Sequence, residues 1–450
     1  MERIVTTPPN PLSELLVQSE LLHCHRCGYC MATCPTYRAL RDERQVARGR
    51  NEIVRQVAGG RLKMLPELRD PIFECLLCGA CTETCFSNVK TDEIIVRARE
   101  AWQEEHGQPA VQRLIFDQLL PYPRRLTSLM RMLSLGKRSG LAELAHRLGI
   151  LRWINATLEG ANGLVGTMPR RFLRDRLYHM GFRRQTTGGP ARWVRPRDAA
   201  APAPGPAVLY FIGCGTNFQV PAQGEAAMRV LAAAGCELTV VENVCCGLPP
   251  YSYGDRDAAR SLAGQNLEVF QALDFDYMLT ECGSCSAFIK KWPSLLEQDR
   301  EQADAARSVA ARTRDFTQLL PELRLPAGAE ALPGKYTYHD PCHLRRGQGI
   351  YSEPRALLTD VARVDLVELK EADWCCGGAG SYNLAHPELS LEILERKMGR
   401  IGDTGAGTVV TACPACVIQL SYGARRQPQP LRVRHIAQVL AEACGMPVEN

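Results

Sequence analysis

The sequence has no run of 18 or more apolar residues, so no segment is predicted to cross a membrane as a helix. A glycine-rich dinucleotide motif is also missing, because Gly213-Cys214-Gly215 lacks the third glycine, and this excludes a nucleotide site of that kind on the chain. Residues Met1 to Val5 lead into proline-rich polar sequence, so we expect no signal peptide. Basic and aromatic residues do not interleave, which argues against nucleic-acid binding.

Cysteine, in contrast, is abundant: the 450 residues include 20 cysteines, and a hydrophobic content of 45% is enough for two or three domains. A disulfide-stapled scaffold could use that many cysteines. They fall instead in short, repeated clusters, which is typical of metal ligation. We therefore expect a protein of the reducing cytoplasm, or one held peripherally on the inner face of the cell membrane.

The distribution of cysteine, charge and proline predicts five segments. Residues 107–186 contain no cysteine and have the pattern of amphipathic helices, with 14 lysines and arginines against four acidic residues between Ala110 and Gln185. Such a segment is either a solvated face or a docking surface for an acidic partner or an anionic lipid. Residues 187–206 are rich in proline, glycine and alanine and are predicted to be an interdomain linker. The predicted segments are 1–106, 107–186, 187–206, 207–325 and 326–450.

The last two segments repeat one order of elements. Each contains three short apolar runs, and helix-like sequence separates the runs. This alternation predicts parallel α/β units, and the likeness of the two halves suggests a duplication with pseudo-twofold packing. The runs are 207–212, 237–241 and 277–280 in the first repeat, and 335–338, 364–369 and 407–411 in the second.

Two cysteine runs near the amino terminus share one spacing. Each is C-x2-C-x2-C-x3-C, followed by Pro35 in the first run and by Phe86 in the second. A cubane [4Fe–4S] cluster needs one thiolate for each iron, and in two-cluster ferredoxins the fourth cysteine of each run ligates the other cluster. Gly28 and Gly79 lie where the backbone must fold closely around sulfide. The predicted ligand sets are Cys24, Cys27, Cys30 and Cys85 for one cluster, and Cys75, Cys78, Cys81 and Cys34 for the other.

Zinc is the alternative for these runs, although zinc sites usually pair two separated C-x2-C units.

A different cysteine pattern occurs once in each repeat, as C-x30-CC-x35-C-x2-C and then as C-x32-CC-x36-C-x2-C. Each cysteine group follows a predicted strand, and the carboxyl ends of parallel strands lie at one edge of a sheet, so five thiols should meet there. Gly247 and Gly377 follow the vicinal pairs and permit the turn that aims both sulfurs at one target. The two sets are Cys214, Cys245, Cys246, Cys282 and Cys285, and Cys342, Cys375, Cys376, Cys413 and Cys416.

Five thiols are more than the four that a cubane needs. They fit a non-cubane [4Fe–4S] cluster, or a cubane with one spectator thiol, so we expect one or two further clusters in the repeats. A strained vicinal disulfide and buried inert thiols are the alternatives without a metal.

Four further residues lie beside these patterns or outside them. His339 and His343 flank Cys342, where they either donate hydrogen bonds to cluster sulfur or shape a turn. Cys236 and Cys444 fall outside every pattern and are expected to be ordinary buried thiols.

The runs Cys245-Cys246-Gly247-Leu248-Pro249-Pro250 and Cys375-Cys376-Gly377-Gly378-Ala379-Gly380 resemble the cysteine-rich CCG domains. Two such domains fused to a helical two-cluster ferredoxin resemble the iron–sulfur subunit of glycolate oxidase. The arrangement is also similar to the iron–sulfur subunit of anaerobic glycerol-3-phosphate dehydrogenase and to the CCG-containing subunit of the membrane-type heterodisulfide reductase. The resemblance covers residues 20–106 and 207–420. It leaves out the basic middle segment, and Phe86 departs from the expected proline.

The resemblance implies an α+β multidomain fold with an all-α ferredoxin-type domain, a helical middle segment and two α/β CCG repeats with parallel strands. It also implies an electron-transfer subunit in a flavin-dependent 2-hydroxy acid dehydrogenase, an oxidoreductase in which this chain alone does not act on the acid. Electrons would pass from an FAD-containing partner oxidising glycolate or lactate to a quinone, an electron-transferring flavoprotein or another carrier. Because both CCG motifs are intact, the alternative is a heterodisulfide reductase-type subunit that reduces a disulfide at a CCG cluster.

Overall fold

The computed structural model describes residues 12, 21–140, 166, 168–198, 201, 203–326 and 331–447. The chain divides into two compact units. The first consists of Met1–Arg113 together with Pro249–Arg256, and the second of Leu114–Leu248 together with Asp257–Asn450. The cysteines of both repeats therefore lie in the second unit.

All regular secondary structure in the described part of the first unit is helical, as predicted for the ferredoxin-type region. Its two longest helices bury apolar side chains at spacings of three and four residues, including Val54 and Val57 in one and Ile94 and Ala98 in the other. These side chains form one hydrophobic core with Trp102. The α-helices are Tyr29–Thr33, Pro35–Leu40, Ala47–Ala58, Arg69–Phe73, Ala80–Thr84, Thr91–His106 and Ala110–Arg113, with 3-10 turns at Glu43–Gln45 and Pro66–Leu68.

The middle segment is also helical over most of its described part, as predicted, but Arg183–Gln185 at its end form a strand instead. A π-helix, Leu114–Leu119, precedes the α-helix Pro123–Arg138, whose first residue is a proline that needs no intrahelical donor. Residues 141–165 of the predicted basic segment lie outside the described residues. A short α-helix, Leu173–Arg176, and a 3-10 turn, Leu177–Met180, follow.

The first repeat contains a six-stranded sheet with the order β1-β2-β4-β3-β5-β6. Strands β4, β3, β5 and β6 are parallel, while β1 and β2 add an antiparallel ribbon at one edge. The strands are β1 (Arg183–Gln185), β2 (Arg192–Arg195), β3 (Ala207–Tyr210), β4 (Glu237–Val241), β5 (Tyr277–Thr280) and β6 (Thr313–Asp315).

The second repeat has a four-stranded, entirely parallel sheet with the order β10-β9-β7-β8. Its order matches that of β6-β5-β3-β4 in the first repeat, so the duplication predicted from the sequence is present in the topology. The strands are β7 (Lys335–His339), β8 (Asp365–Leu366), β9 (Thr408–Thr411) and β10 (Arg432–His435).

The predicted linker needs a correction. Arg192–Arg195 is a strand that pairs with β4, and Trp193 packs against the core of the second unit. The proline, glycine and alanine that signalled a linker are concentrated after this strand, so composition averaged over the segment concealed four residues able to extend the sheet. The other predicted domain bounds stay predictions.

Helices cover the sheets and link the repeats. The helix after Cys282 contacts the helix that begins at Cys342: Gln348 donates to the Gly283 carbonyl at 3.2 Å and to the Ser286 hydroxyl at 2.8 Å. The helices of this unit are Cys214–Phe218, Pro221–Ala233, Leu248–Ser252 (which ends in the first unit), Arg256–Gln271, Gly283–Ile289, Trp292–Leu295, Arg300–Arg312, Phe316–Leu319, Cys342–Gln348, Glu353–Ala356, Tyr382–Ala385, Pro387–Asp403, Pro414–Ala424 and Ile436–Ala443, with a 3-10 turn at Leu320–Glu322 and a π-helix at Leu357–Val361.

The reciprocal contact joins the helix at Cys214 to the helix that begins at Pro414. A Cβ placed on Gly215 would lie 3.7 Å from the Cβ of Pro414. In each contact, the helix after the third cysteine group of one repeat meets the helix at the first cysteine of the other. The two contacts are therefore equivalent, as a pseudo-twofold relation between the repeats requires.

Candidate iron–sulfur sites

The two amino-terminal cysteine runs adopt the same backbone. In each run the residue before the second cysteine is left-handed, with φ 57° at Arg26 and 52° at Leu77. The glycine after that cysteine is left-handed too, with φ 89° at Gly28 and 70° at Gly79, and it starts a short helix. Glycine adopts this conformation without strain, and two such residues curl each loop tightly, so that its thiols can face one centre.

Two cavities in the first unit are lined by these cysteines. One cavity is lined by Cys75, Cys78 and Cys81 of the second run together with Cys34 of the first. The other is lined by the remaining four cysteines, with Cys81 also at its wall. Each cavity therefore combines three cysteines of one run with the last cysteine of the other, the exchange predicted from the spacing. The second cavity contains Cys24, Cys27, Cys30 and Cys85.

Arg50 is a neighbour of the first cavity that the sequence did not single out. It is 3% exposed, and its Nη1 lies 3.9 Å from the Cys34 sulfur. It also donates to the Pro71 carbonyl at 2.7 Å and to the Gln45 side chain at 2.7 Å. The sequence does not distinguish Arg50 from the other arginines of its helix, because its burial depends on the tertiary fold.

Desolvation dominates the chemistry of several thiols in this unit. Burial raises the pKa of Cys81 well above its ordinary value, and the neighbouring thiols Cys75 and Cys78 add to the effect. Burial also raises the pKa of Cys30, which a hydrogen bond with the Arg48 backbone partly offsets. Closely packed thiols lose their protons with difficulty when no cation is near. Such packing is expected at a metal site, because a bound metal supplies the positive charge that stabilises the thiolates.

In the second unit, each repeat brings its five predicted cysteines to the carboxyl edge of its sheet. In the first repeat the single cysteine follows β3, the vicinal pair follows β4, and the last two follow β5. The second repeat does the same after β7, β8 and β9. All 20 cysteines, each within the described residues, are free thiols, so neither vicinal pair forms a disulfide.

Hydrogen bonds between thiols join each set. Cys214 bonds to Cys245, Cys245 to Cys246, Cys246 to Cys285, and Cys285 to Cys282. The matching order in the second repeat is Cys342, Cys375, Cys376, Cys416 and Cys413. No predicted CCG cysteine is left out, so all five thiols of each set can face a common centre.

The two sets are also joined to one another, because the side chains of Cys282 and Cys413 are hydrogen-bonded. Hydrogen bonds from neighbouring thiols lower the pKa of Cys246, Cys375 and Cys413 well below its ordinary value, since they favour the thiolate. The same bonds raise the pKa of the thiols that donate them, such as Cys285, so a bound metal would have to supply the charge that lets all five thiols bind as thiolates.

Both histidines predicted near Cys342 lie close to these thiols. His343 Nδ1 hydrogen-bonds with the Ser284 hydroxyl at 3.0 Å, and that hydroxyl is 3.5 Å from the Cys413 sulfur. His339 is 1% exposed, and its donor atom and the sulfurs of Cys376 and Cys416 lie within 4.8 Å of one another. Burial, followed by the charge of Lys397, lowers the pKa of His339 to about 3, so the imidazole is neutral.

The two unassigned cysteines lie apart from these sets. Cys236 is fully buried in the core of the second unit, and burial raises its pKa to about 12. Cys444 is half-buried at the end of the last helix, and burial raises its pKa too.

The donor chemistry fits iron–sulfur clusters. The first unit presents two four-thiol cavities, and in both loops a left-handed glycine leaves space for a close approach of the backbone. The second unit presents two five-thiol sets, and a buried imidazole with no hydrogen-bond partner among the described residues faces one of them. A zinc site would need only four ligands and would not account for the fifth thiol or for its repetition.

Comparisons with known families agree with this geometry. The 4Fe-4S dicluster domain model matches residues 20–89, and the cysteine-rich CCG domain model matches residues 208–290 and 336–421. Fold and site thus define an iron–sulfur protein with an electron-transfer role. The middle segment, which the sequence resemblance had left out, matches the linker region of the glycolate oxidase iron–sulfur subunit over residues 107–164.

Whole-chain relatives make the assignment more specific. The chain is 31% identical over 449 residues to the probable glycolate oxidase iron–sulfur subunit of Bacillus subtilis, covering 97% of both chains. It is 26% identical to the glycolate oxidase iron–sulfur subunit of Escherichia coli, covering 95% of both. It is also 31% identical to lactate utilization protein A of an Exiguobacterium species, covering 53% of this chain and 98% of that protein. The chain belongs to the family of glycolate oxidase iron–sulfur subunits.

Of the helices within the described residues, none is both long enough and apolar enough to span a membrane.

Proposed function

We propose that the chain is the electron-transfer subunit of a flavin-dependent 2-hydroxy acid dehydrogenase. It would receive electrons from an FAD-containing partner that oxidises glycolate or lactate and pass them to a quinone, an electron-transferring flavoprotein or another carrier. The observation that carries the proposal is the placement of 18 cysteines in four thiol sets, together with whole-chain similarity to glycolate oxidase iron–sulfur subunits.

We assign one [4Fe–4S] cluster to each set. The first unit would hold two cubanes with exchanged fourth ligands, and each CCG repeat would hold a non-cubane cluster bound by all five thiols. Bound clusters supply one-electron storage. The chain's own residues hold the sulfurs in place, exclude water and set the local charge. Eight of the ten CCG cysteines are buried, so their surroundings are dry.

The test uses the chain purified without oxygen, its flavoprotein partner and a 2-hydroxy acid. Adding all three should reduce the clusters, as followed by EPR, whereas the acid without the partner should not. Reduction by the acid alone, or none with the partner present, would overturn the proposal.

The contact between Cys282 and Cys413 favours a second candidate function, because it places two cluster sites side by side at one locus. Two adjacent one-electron centres could together reduce a disulfide. The chemically reduced chain, without any partner, should leave thiol heterodisulfides intact if it is only a relay. Catalytic cleavage that Cys245→Ser or Cys375→Ser abolishes would favour the reductase instead.

Peripheral membrane association would use the helix Pro123–Arg138. Arg124, Arg125 and Arg131 are exposed on it, and so are Met132 (72%) and Leu135 (67%), which gives it the mixture of cations and apolar groups that interfacial helices use. Arg174, in contrast, is turned inward and donates to the Val241 carbonyl at 2.6 Å, so it is excluded from any such surface. Binding to anionic vesicles that Met132→Ser with Leu135→Ser leaves unchanged would contradict this part of the proposal.

A further inference from the structure

The two CCG sites have the same cysteines but different neighbours. His339 is the third residue before Cys342, and the residue at the same position before Cys214 is Phe211. Both side chains are 1% exposed. Within the described part of the chain, neither ring nitrogen of His339 has a hydrogen-bond partner, and the imidazole lies beside the sulfurs of the second set. A buried N–H donor is therefore available to the second site, whereas a phenyl ring occupies that place in the first.

A buried cation lies beside each site. Lys397, in the helix Pro387–Asp403, is fully buried, and its ammonium donates to the carbonyls of Glu371 and Ala372, just before the second vicinal pair. In the first repeat Arg174 donates to the Val241 carbonyl at 2.6 Å, just before the first vicinal pair. These cations therefore do not distinguish the two sites, and the difference lies in other neighbours of the sulfurs.

The residue before the third cysteine group differs too. In the first repeat it is Glu281, which is fully buried and accepts hydrogen bonds from the hydroxyls of Tyr210 and Thr216. In the second repeat it is Ala412, which is buried and carries no ionisable group. At two corresponding positions, then, the second site has the better donor or the less acidic residue, while Asp340, the buried carboxylate beside the second site, is ion-paired with two arginines.

Electrostatics gives this difference a direction. Reduction adds a negative charge to a cluster, and nearby N–H donors and cations stabilise that charge while a carboxyl group does not. The effect is strong where water is excluded, because the effective dielectric constant is low.

We propose that the second CCG site has the higher reduction potential of the pair and holds the electron at equilibrium, and that His339 sets this order. The inference rests on the proposed function only in needing a cluster in each repeat. Because the two sets touch at Cys282 and Cys413, an electron that reaches either one can settle on the second.

The test is an EPR-monitored redox titration of the full chain. The first site is identified from the signal lost in Cys245→Ser, and the second from the signal lost in Cys375→Ser. In the native chain the second site should be reduced first. His339→Phe installs the residue of the first repeat and should shift the second potential downward, while His339→Gln, which keeps an N–H donor, should shift it less. The reciprocal Phe211→His should shift the first potential upward.

Iron analysis of each variant separates the outcomes. Native protein without iron in the CCG repeats would refute the proposed clusters themselves. Full iron with the first site reduced first, or with an unchanged second potential in His339→Phe, would overturn only the ordering. Loss of iron from the second site in both His339 variants would make His339 an iron ligand and overturn its assignment as a donor. In that case Phe211→His still tests the electrostatic argument at the first site, because it leaves the second site unchanged.

Discussion

The side chain of Cys282, in the first repeat, is hydrogen-bonded to that of Cys413, in the second. Each residue is the first cysteine of the C-x2-C pair in its repeat, and each lies just after an internal strand of its sheet, β5 or β9. The contact therefore lies where the two repeats meet. The ten CCG thiols therefore form one continuous row, and the two sites are neighbours.

This adjacency predicts magnetic interaction between the two reduced CCG clusters. Spins on neighbouring clusters should broaden or split each other's EPR signals. Replacing Cys375 and Cys376 by serine, which removes two ligands of the second site, should leave a simple signal from the first. A first-site signal that is the same in the double variant and in the fully reduced native chain would show that the sites are not neighbours.

Exchanged ligation predicts which cluster responds to each fourth cysteine. Cys34→Ser should perturb the cluster held by Cys75, Cys78 and Cys81, because Cys34 lines that cavity. Cys85→Ser, the matched control, should perturb the other cluster. EPR of the two reduced signals distinguishes them, and loss of only the Cys24 cluster in Cys34→Ser would contradict the exchange.

The position of Arg50 predicts that it raises the reduction potential of the cluster ligated by Cys34. Its guanidinium is a buried cation 3.9 Å from the Cys34 sulfur, so it should stabilise the reduced form of that cluster. Arg50→Gln should lower the potential by about 60 mV or more, the equivalent of a tenfold change for a one-electron couple. Arg50→Lys loses the same planar hydrogen bonds but keeps the charge, so it should shift the potential less. Equal shifts in both variants would assign the effect to packing instead of charge.

The backbone at Gly377 is predicted to fix the position of the second vicinal pair, Cys375 and Cys376. Its φ is 83°, and an added Cβ would lie 2.6 Å from the Ser390 carbonyl oxygen. Gly377→Ala should therefore displace Cys376 and release the iron of the second site. Gly380→Ala is the control, since its φ is 70° but an added Cβ meets nothing within 4 Å. It should cost only about 1–2 kcal/mol of backbone strain. Equal iron content in the two variants would contradict a steric role for Gly377.

Local patterns predicted a large part of this architecture, because cysteine spacing and apolar runs act over short distances. The strands before Cys214 and Cys342 lie where the sequence places them, and the fold class is confirmed. Strands β1, β2, β6 and β10 were missed, because each is only three or four residues long, contains at least two polar residues and becomes a strand only by pairing with a neighbour in the sheet. The burial of Arg50 and Lys397 was equally hidden, since long basic side chains look solvated until the tertiary fold encloses them.

The four-cluster account is tested most directly by counting metals in protein purified without oxygen. Four [4Fe–4S] clusters require about 16 irons and as many acid-labile sulfides per chain. That result, with no stoichiometric zinc, is what the thiol sets predict. About eight irons accompanied by zinc in stoichiometric amount would contradict the assignment of clusters to the CCG repeats.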